Sequence, residues 1–140
     1  MVLTPEVTNY VRALGARRMG CDRVYYVTRC FRDETTTDSE RLREFTQVGV
    51  EILGDDPESC RKVARRDAIR LFKEIMGETG WSLQDNVERG LNLYREGGGT
   101  FEIEGLENRK QLLGGGPYDG GAGWALGLER LMKAMKIETR

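Results

Sequence analysis

Phe45-Thr46-Gln47-Val48-Gly49-Val50-Glu51-Ile52-Leu53 alternates apolar residues with polar or small ones. A period of two belongs to a β-strand with one face on a core. Val48, Val50 and Ile52 form the apolar stripe, so Gln47, Gly49 and Glu51 share the opposite face. Upstream, the run from Val24 to Phe31 is rich in β-branched and aromatic residues and reads as a second strand. Residues 33–42 between the two are polar. A connection of about ten residues is long for a hairpin, and such loops are usually functional or mobile.

Outward from this pair, Thr4-Pro5-Glu6 is a helix start: a hydroxyl cap, a proline at the first helical position and an acid in the first turn. Val7, Tyr10, Val11 and Leu14 continue it at helical spacing. Asp56-Pro57 opens another helix, with Val63, Ile69, Phe72, Ile75 and Met76 as its apolar positions and an end near Gly77 or Gly80. From about residue 86, short strand-like runs (Leu91 to Tyr94, Thr100 to Ile103, Gln111 to Leu113) are broken by the glycine triplets at 97–99 and 114–116. A last helix is expected from about Ala122 to Lys136, with Trp124, Leu128, Leu131 and Met135 on one face and Arg130 off it. Without a regular βαβ alternation, the pattern is an α+β domain spanning residues 1–140, an antiparallel β-sheet flanked by helices.

Composition narrows the chemistry. Lys and Arg number 22 against 23 Asp and Glu, so no global basic field invites nucleic acid or anionic membrane. Arg61-Lys62 and Arg65-Arg66 cluster locally and read as a solvated helix face. No apolar run approaches the roughly 20 residues of a membrane span, and Met1 leads into a charged amphipathic segment without a secretory leader. Cys21, Cys30 and Cys60 fit neither a zinc pattern nor a disulfide framework, which points to the reducing cytoplasm. The chain has no histidine, so Ser-His and Cys-His nucleophiles are excluded. Arginine, acids, glutamine, tyrosine and backbone must do the work.

Those residues are well placed to grip a nucleotide. Phe31-Arg32-Asp33-Glu34 ends one strand, Arg43-Glu44-Phe45 opens the next, and Gly127-Leu128-Glu129-Arg130 puts an arginine just inside a helix. Arginine offers planar, bidentate contacts to phosphate, and an aromatic face stacks a base.

In this order, the segments resemble the nucleotide-binding core of class II aminoacyl-tRNA synthetases. Arg32, Glu34, Arg43 and Phe45 look like the second motif of that family, and Gly127 to Arg130 like the third. The resemblance narrows to the histidyl-tRNA synthetase branch. Leu3 to Thr8 looks like its helix start, Gln47-Val48-Gly49-Val50-Glu51 like the strand that faces bound histidine, and Arg89 to Tyr94 and Gly114 to Asp119 like two further motifs. Asn92, Leu93 and Pro117 depart from the family, which usually carries Asp, Tyr and Arg at those places.

The resemblance implies ATP-dependent amino-acid activation, with ATP and Mg²⁺ required and the metal ligands unknown. It implies Arg32 and Arg89 at the α-phosphate as catalytic groups. Arg32, Glu34, Arg43, Phe45 and Arg130 would hold ATP, with adenine between Phe45 and Arg130. Glu6, Thr8, Gln47, Glu51, Tyr94 and Tyr118 would hold histidine or another amino acid, Glu6 and Thr8 at its α-amino group. Tyr10, Val11, Leu14 and Val24 to Val27 are expected to be exposed and to support a weak homodimer. The family's dimer-forming, insertion and anticodon-binding segments find no counterpart here, so tRNA is an uncertain partner. A histidine-sensing regulatory subunit and a folded fragment of little activity are the alternatives.

Overall fold

The computed structural model describes residues 7–31, 44–87, 98–107 and 109–137. Helix α1 (Thr8–Met19) is interrupted at Gly15 (φ 69°, ψ 164°). Strands β1 (Arg23–Phe31) and β2 (Glu44–Leu53) follow, then helix α2 (Pro57–Met76). Strands β3 (Trp81–Asp85), β4 (Phe101–Gly105), β5 (Gln111–Tyr118) and β6 (Gly121–Gly127) lead into helix α3 (Leu128–Ala134). The six strands form one sheet in the order β1-β2-β6-β5-β4-β3. Every neighbouring pair is antiparallel, as the α+β reading requires.

The strand pair expected around the polar loop forms in register, with Cys30 opposite Phe45 and Val24 opposite Glu51. Asp56 caps α2: it accepts from the Glu58 N–H at 3.2 Å and the Ser59 hydroxyl at 2.7 Å. Pro57 sits at the first turn and Gly77 closes the helix at φ 77°. Cys60, Ala64, Ala68 and Phe72 form its buried stripe. The small alanines let the helix lie close to the sheet, where it meets Phe101, Ile103, Leu113, Trp124 and Leu126.

Three expectations change. Residues 122–127 are strand, not helix, and the last helix is confined to Leu128–Ala134. Ala122, Trp124 and Leu126 alternate with Gly and Ala, and pairing to β2 and β5 on both sides outweighs the helical spacing of Trp124 with Leu128. Gly114 to Gly116 does not break a strand but lies inside β5. A Cβ on Gly115 would stand 2.7 Å from the Phe101 ring and 2.8 Å from Trp124 Cβ, so glycine permits close layering there. Strand β3 was not anticipated; its Trp81 ring packs 5.7 Å from that of Phe72. The start at Thr4-Pro5-Glu6, the 33–42 loop and the run from Leu91 to Tyr94 lie outside the described residues.

Candidate functional site

Residues directly opposite on antiparallel strands share a face, so the register assigns each side chain to one side of the sheet. The α2 side carries Val48, Val50, Ile52, Trp124, Leu126, Leu113, Phe101 and Ile103. The other side carries Gln47, Gly49 and Glu51 of β2, Gly121, Gly123, Ala125 and Gly127 of β6, and Gly114, Gly116 and Tyr118 of β5. Three adjacent strands therefore present a floor almost without side chains, bordered by an amide, a carboxylate and a phenol. Such a floor lets a ligand approach the backbone closely.

Glu51 is the centre of this face. It is 1% exposed. The Thr8 hydroxyl donates to its Oε1 at 2.6 Å, and the Tyr118 hydroxyl donates to its Oε2. Burial pushes its carboxyl up to about 7, against the two hydrogen bonds, which pull the other way. A Cβ on Gly123 would overlap Glu51 Oε2 and stand 2.6 Å from the Val50 carbonyl oxygen. Glycine at 123 thus makes the space that the carboxylate occupies.

Gln47 is also buried. Its Oε1 accepts from the Cys30 thiol at 3.7 Å and lies 3.4 Å from the Tyr26 hydroxyl. The Tyr26 ring lies over Gly49, where a Cβ would collide with it. Phe45, half-buried, is on this face at the end of the sheet where β6 passes into α3. Both carboxylate oxygens of Glu129 accept from the Thr46 N–H, at 2.8 and 2.9 Å, and clamp α3 to the start of β2. Arg130 therefore comes to the same end of the sheet as Phe45, and its Nη1 donates to the Gln111 carbonyl at 3.0 Å.

Thr8, Glu51 and Tyr118 are thus brought together, Gln47 shares their face four residues away along β2, and Phe45 and Arg130 lie farther along. Glu6, Arg32, Glu34, Arg43, Arg89 and Tyr94 lie outside the described residues, as do Asn92 and Leu93. Pro117 faces the α2 side, beside Gly99, so this departure is not on the Glu51 face. Pairing to β4 ends at Gly115, which leaves a place for a residue without an N–H. Among the described residues, no group of three or more acids or cysteines could hold a metal ion. Mg²⁺ bound with a nucleotide needs only one or two carboxylates beside the substrate phosphates and waters.

The β6 floor and the Glu129 clamp were missed in the sequence. Their signal was present as glycine or alanine at every second position from 121 to 127.

A family model described as "tRNA synthetases class II (D, K and N)" matches residues 16–95. The chain belongs to the class II tRNA synthetases. Within that class it resembles histidyl-tRNA synthetases over nearly its whole length and aspartate–tRNA(Asp/Asn) ligases over a shorter stretch. It is 34% identical over 175 aligned residues to the histidine–tRNA ligase of Deinococcus deserti, covering 94% of this chain and 39% of that one. It is also 43% identical over 58 residues to the aspartate–tRNA(Asp/Asn) ligase of Oleidesulfovibrio alaskensis, covering 41% of this chain and 9% of that one. The chain thus spans well under half the length of both curated relatives. The crystal structure of apo S. aureus histidyl-tRNA synthetase has the same fold, with a TM-score of 0.65 and 23% identity over 96% of this chain and 53% of that one.

Proposed function

We propose that this chain activates an amino acid with ATP to form an aminoacyl adenylate, and that the amino acid is histidine. Glu51 carries the reading. A carboxylate buried on a glycine floor, held by Thr8 and Tyr118, is a costly feature for a fold to retain without a ligand. An imidazole supplies the N–H donor, and as imidazolium the opposite charge, that such a group accepts.

In the proposed reaction, an oxygen of the amino-acid carboxylate attacks the α-phosphorus of ATP. The bond to the bridging oxygen breaks, and pyrophosphate leaves with the electron pair. The nucleophile is already ionised at neutral pH, so no general base is needed. Positioning and stabilisation of developing charge suffice, which suits a chain without histidine. We assign Arg32 and Arg89 to the α-phosphate, Glu34 and Arg43 to ATP, and Phe45 and Arg130 to the two faces of adenine. Glu6 and Thr8 are assigned to the α-amino group, and Gln47, Glu51, Tyr94 and Tyr118 to the side chain. tRNA is the proposed acceptor and the cytoplasm the proposed compartment. Among the described residues no helix is long and apolar enough to cross a membrane. A two-fold dimer is proposed through the edge strand β1, where Tyr25 is 79% and Val27 61% exposed.

Activation of aspartate is the second reading, favoured by the family model's description and the aspartate–tRNA(Asp/Asn) ligase relative. An aspartate side chain would set two carboxylates in one small site, which disfavours ionising both. Pyrophosphate exchange with each standard amino acid in turn decides between them. Histidine alone should support exchange. Exchange driven by aspartate would move the chain to the other branch. Histidine binding without exchange would mark a sensor, and neither binding nor exchange a fragment without this activity.

A further inference from the structure

Helix α2 carries Arg61, Lys62, Arg65, Arg66, Arg70 and Lys73 within thirteen consecutive positions, about 18 Å of helix at 1.5 Å per residue. All six line one open groove. Its far wall is Asp85 and Asn86, at the end of β3, and Gly99, just before β4. The Asn86 side-chain oxygen accepts the Gly99 N–H at 3.0 Å and holds that wall. Among the described residues, the carboxylates lining the groove are Glu58 and Asp85. Each is taken by one arginine: Arg61 bonds Glu58 at 2.8 and 3.0 Å, and Arg65 bonds Asp85 at 2.8 and 2.9 Å. Among the described residues Lys62 and Arg70 make no ion pair, and both are exposed. Arg66 and Lys73 have only long contacts, at 3.8 Å to Asp67 and 3.7 Å to Glu78.

This is not how a merely solvated helix face is arranged. Alternating signs at i,i+4 stabilise a helix and like signs destabilise it. Here Arg61 and Arg65, Lys62 and Arg66, and Arg66 and Arg70 are like-charged i,i+4 pairs, against two of opposite sign that include groove cations, Glu58 with Lys62 and Arg70 with Glu74. The cations are concentrated in a chain whose net charge is −1. The groove also lies on the α2 side of the sheet, away from Glu51.

We propose that this groove binds the phosphate backbone of RNA. A row of regularly spaced cations about 18 Å long matches a regularly spaced row of phosphates, several of which fall within that length. Arginine suits bidentate phosphate contacts. Among the described residues no aromatic lines the groove, so the proposed contacts are to phosphate, stack no bases and are indifferent to sequence. The choice of RNA over other polyanions rests on the synthetase reading above.

The test is binding of a short RNA hairpin to the full chain across a salt series, followed by fluorescence anisotropy. The wild type should bind, with affinity falling linearly in log salt. Lys62→Gln/Arg70→Gln should weaken binding on the order of tenfold at low salt and flatten the salt slope by about 2. Its thermal unfolding and its histidine-dependent pyrophosphate exchange should stay at wild-type levels. An unchanged affinity and slope in the variant would overturn the proposal, and so would no RNA binding by the wild type. Equal competition by poly-glutamate of the same charge would also overturn it, because the groove would then be a docking site for acidic protein. Loss of exchange in the wild type with RNA binding intact would bring down the activation reading and leave the groove standing.

Discussion

The two faces of one sheet are built from alternate residues of the same strands and obey different rules. On the α2 face Phe72, Phe101, Ile103 and Leu113 are at most 1% exposed and fill space with carbon. On the other face Glu51 is equally buried, but its neighbours are glycine, alanine and hydroxyls. Burial alone therefore does not mark a core. What separates the faces is side-chain chemistry: one is filled with carbon, and the other replaces large side chains with glycine and alanine around a buried carboxylate. The first stabilises the fold, and the second is the face proposed to take the amino acid.

The comparison predicts a graded series of effects. Truncating the packed face should cost most. Phe72→Ala should destabilise by about 3–5 kcal/mol, read as a fall in the urea midpoint at unchanged slope. A loss below about 1 kcal/mol would mean that α2 is less well packed than its burial indicates.

The Glu51 face should show itself through pH. Glu51 has a folded value of about 7 against 4.5 for the free group. The folded state therefore holds the proton more tightly than the unfolded one. Both states are protonated well below pH 4.5, where the contribution is most favourable. Stability should fall as pH rises from 4.5 to 7 and level off above, by about 3 kcal/mol in the ligand-free protein. Denaturant unfolding of wild type and Glu51→Gln at pH 5 and pH 8 isolates this term. Equal pH dependence in the two proteins would show that Glu51 is not desolvated.

Glycines sharpen the contrast within the Glu51 face. A Cβ at 123 meets Glu51 and the Val50 carbonyl, whereas a Cβ at 127 meets nothing within 4 Å. Gly123→Ala should cost about 1–3 kcal/mol and weaken histidine binding. Gly127→Ala should stay within about 0.5 kcal/mol of wild type. Similar losses at both positions would contradict a floor shaped locally around Glu51.

The edge should show itself in assembly more than in stability. Tyr25→Lys/Val27→Lys should leave stability within about 1 kcal/mol, yet reduce self-association in light scattering across a concentration series. A strict monomer in the wild type would show that β1 needs no partner. Contrary to the expectation of a broad exposed patch, Val11 is buried, and Leu14, Val24 and Tyr26 are half-buried, so the patch narrows to Tyr25 and Val27. The Tyr10 side chain lies outside the described residues.

Much of this was legible in the sequence where one period dominated. The alternation from Phe45 to Leu53 defined β2 and put Gln47 and Glu51 on a common face. Asp56-Pro57 and Gly77 bounded α2. Legibility failed where two periods overlapped or where glycine masked a strand. Trp124 fits both a helical series with Leu128 and Leu131 and an alternating one with Ala122 and Leu126, and only the neighbouring strands decide. Gly114 to Gly116 carries no side-chain pattern, so its place inside β5 depends on partners distant in sequence. Short β3 owes its existence to pairing with β4 and to the Trp81–Phe72 contact. Glu51 was recognisable as a candidate, but its burial and its bond from Tyr118, 67 residues away, are tertiary facts.

The central claim is that the buried carboxylate of Glu51 reads an imidazole. Titration calorimetry of histidine and of ATP into wild type and Glu51→Gln tests it most directly. The account predicts that histidine binds the wild type and that the variant loses about 10- to 100-fold in histidine affinity, the worth of a charged hydrogen bond, with ATP affinity unchanged. Histidine affinity unchanged in a folded Glu51→Gln protein would contradict it.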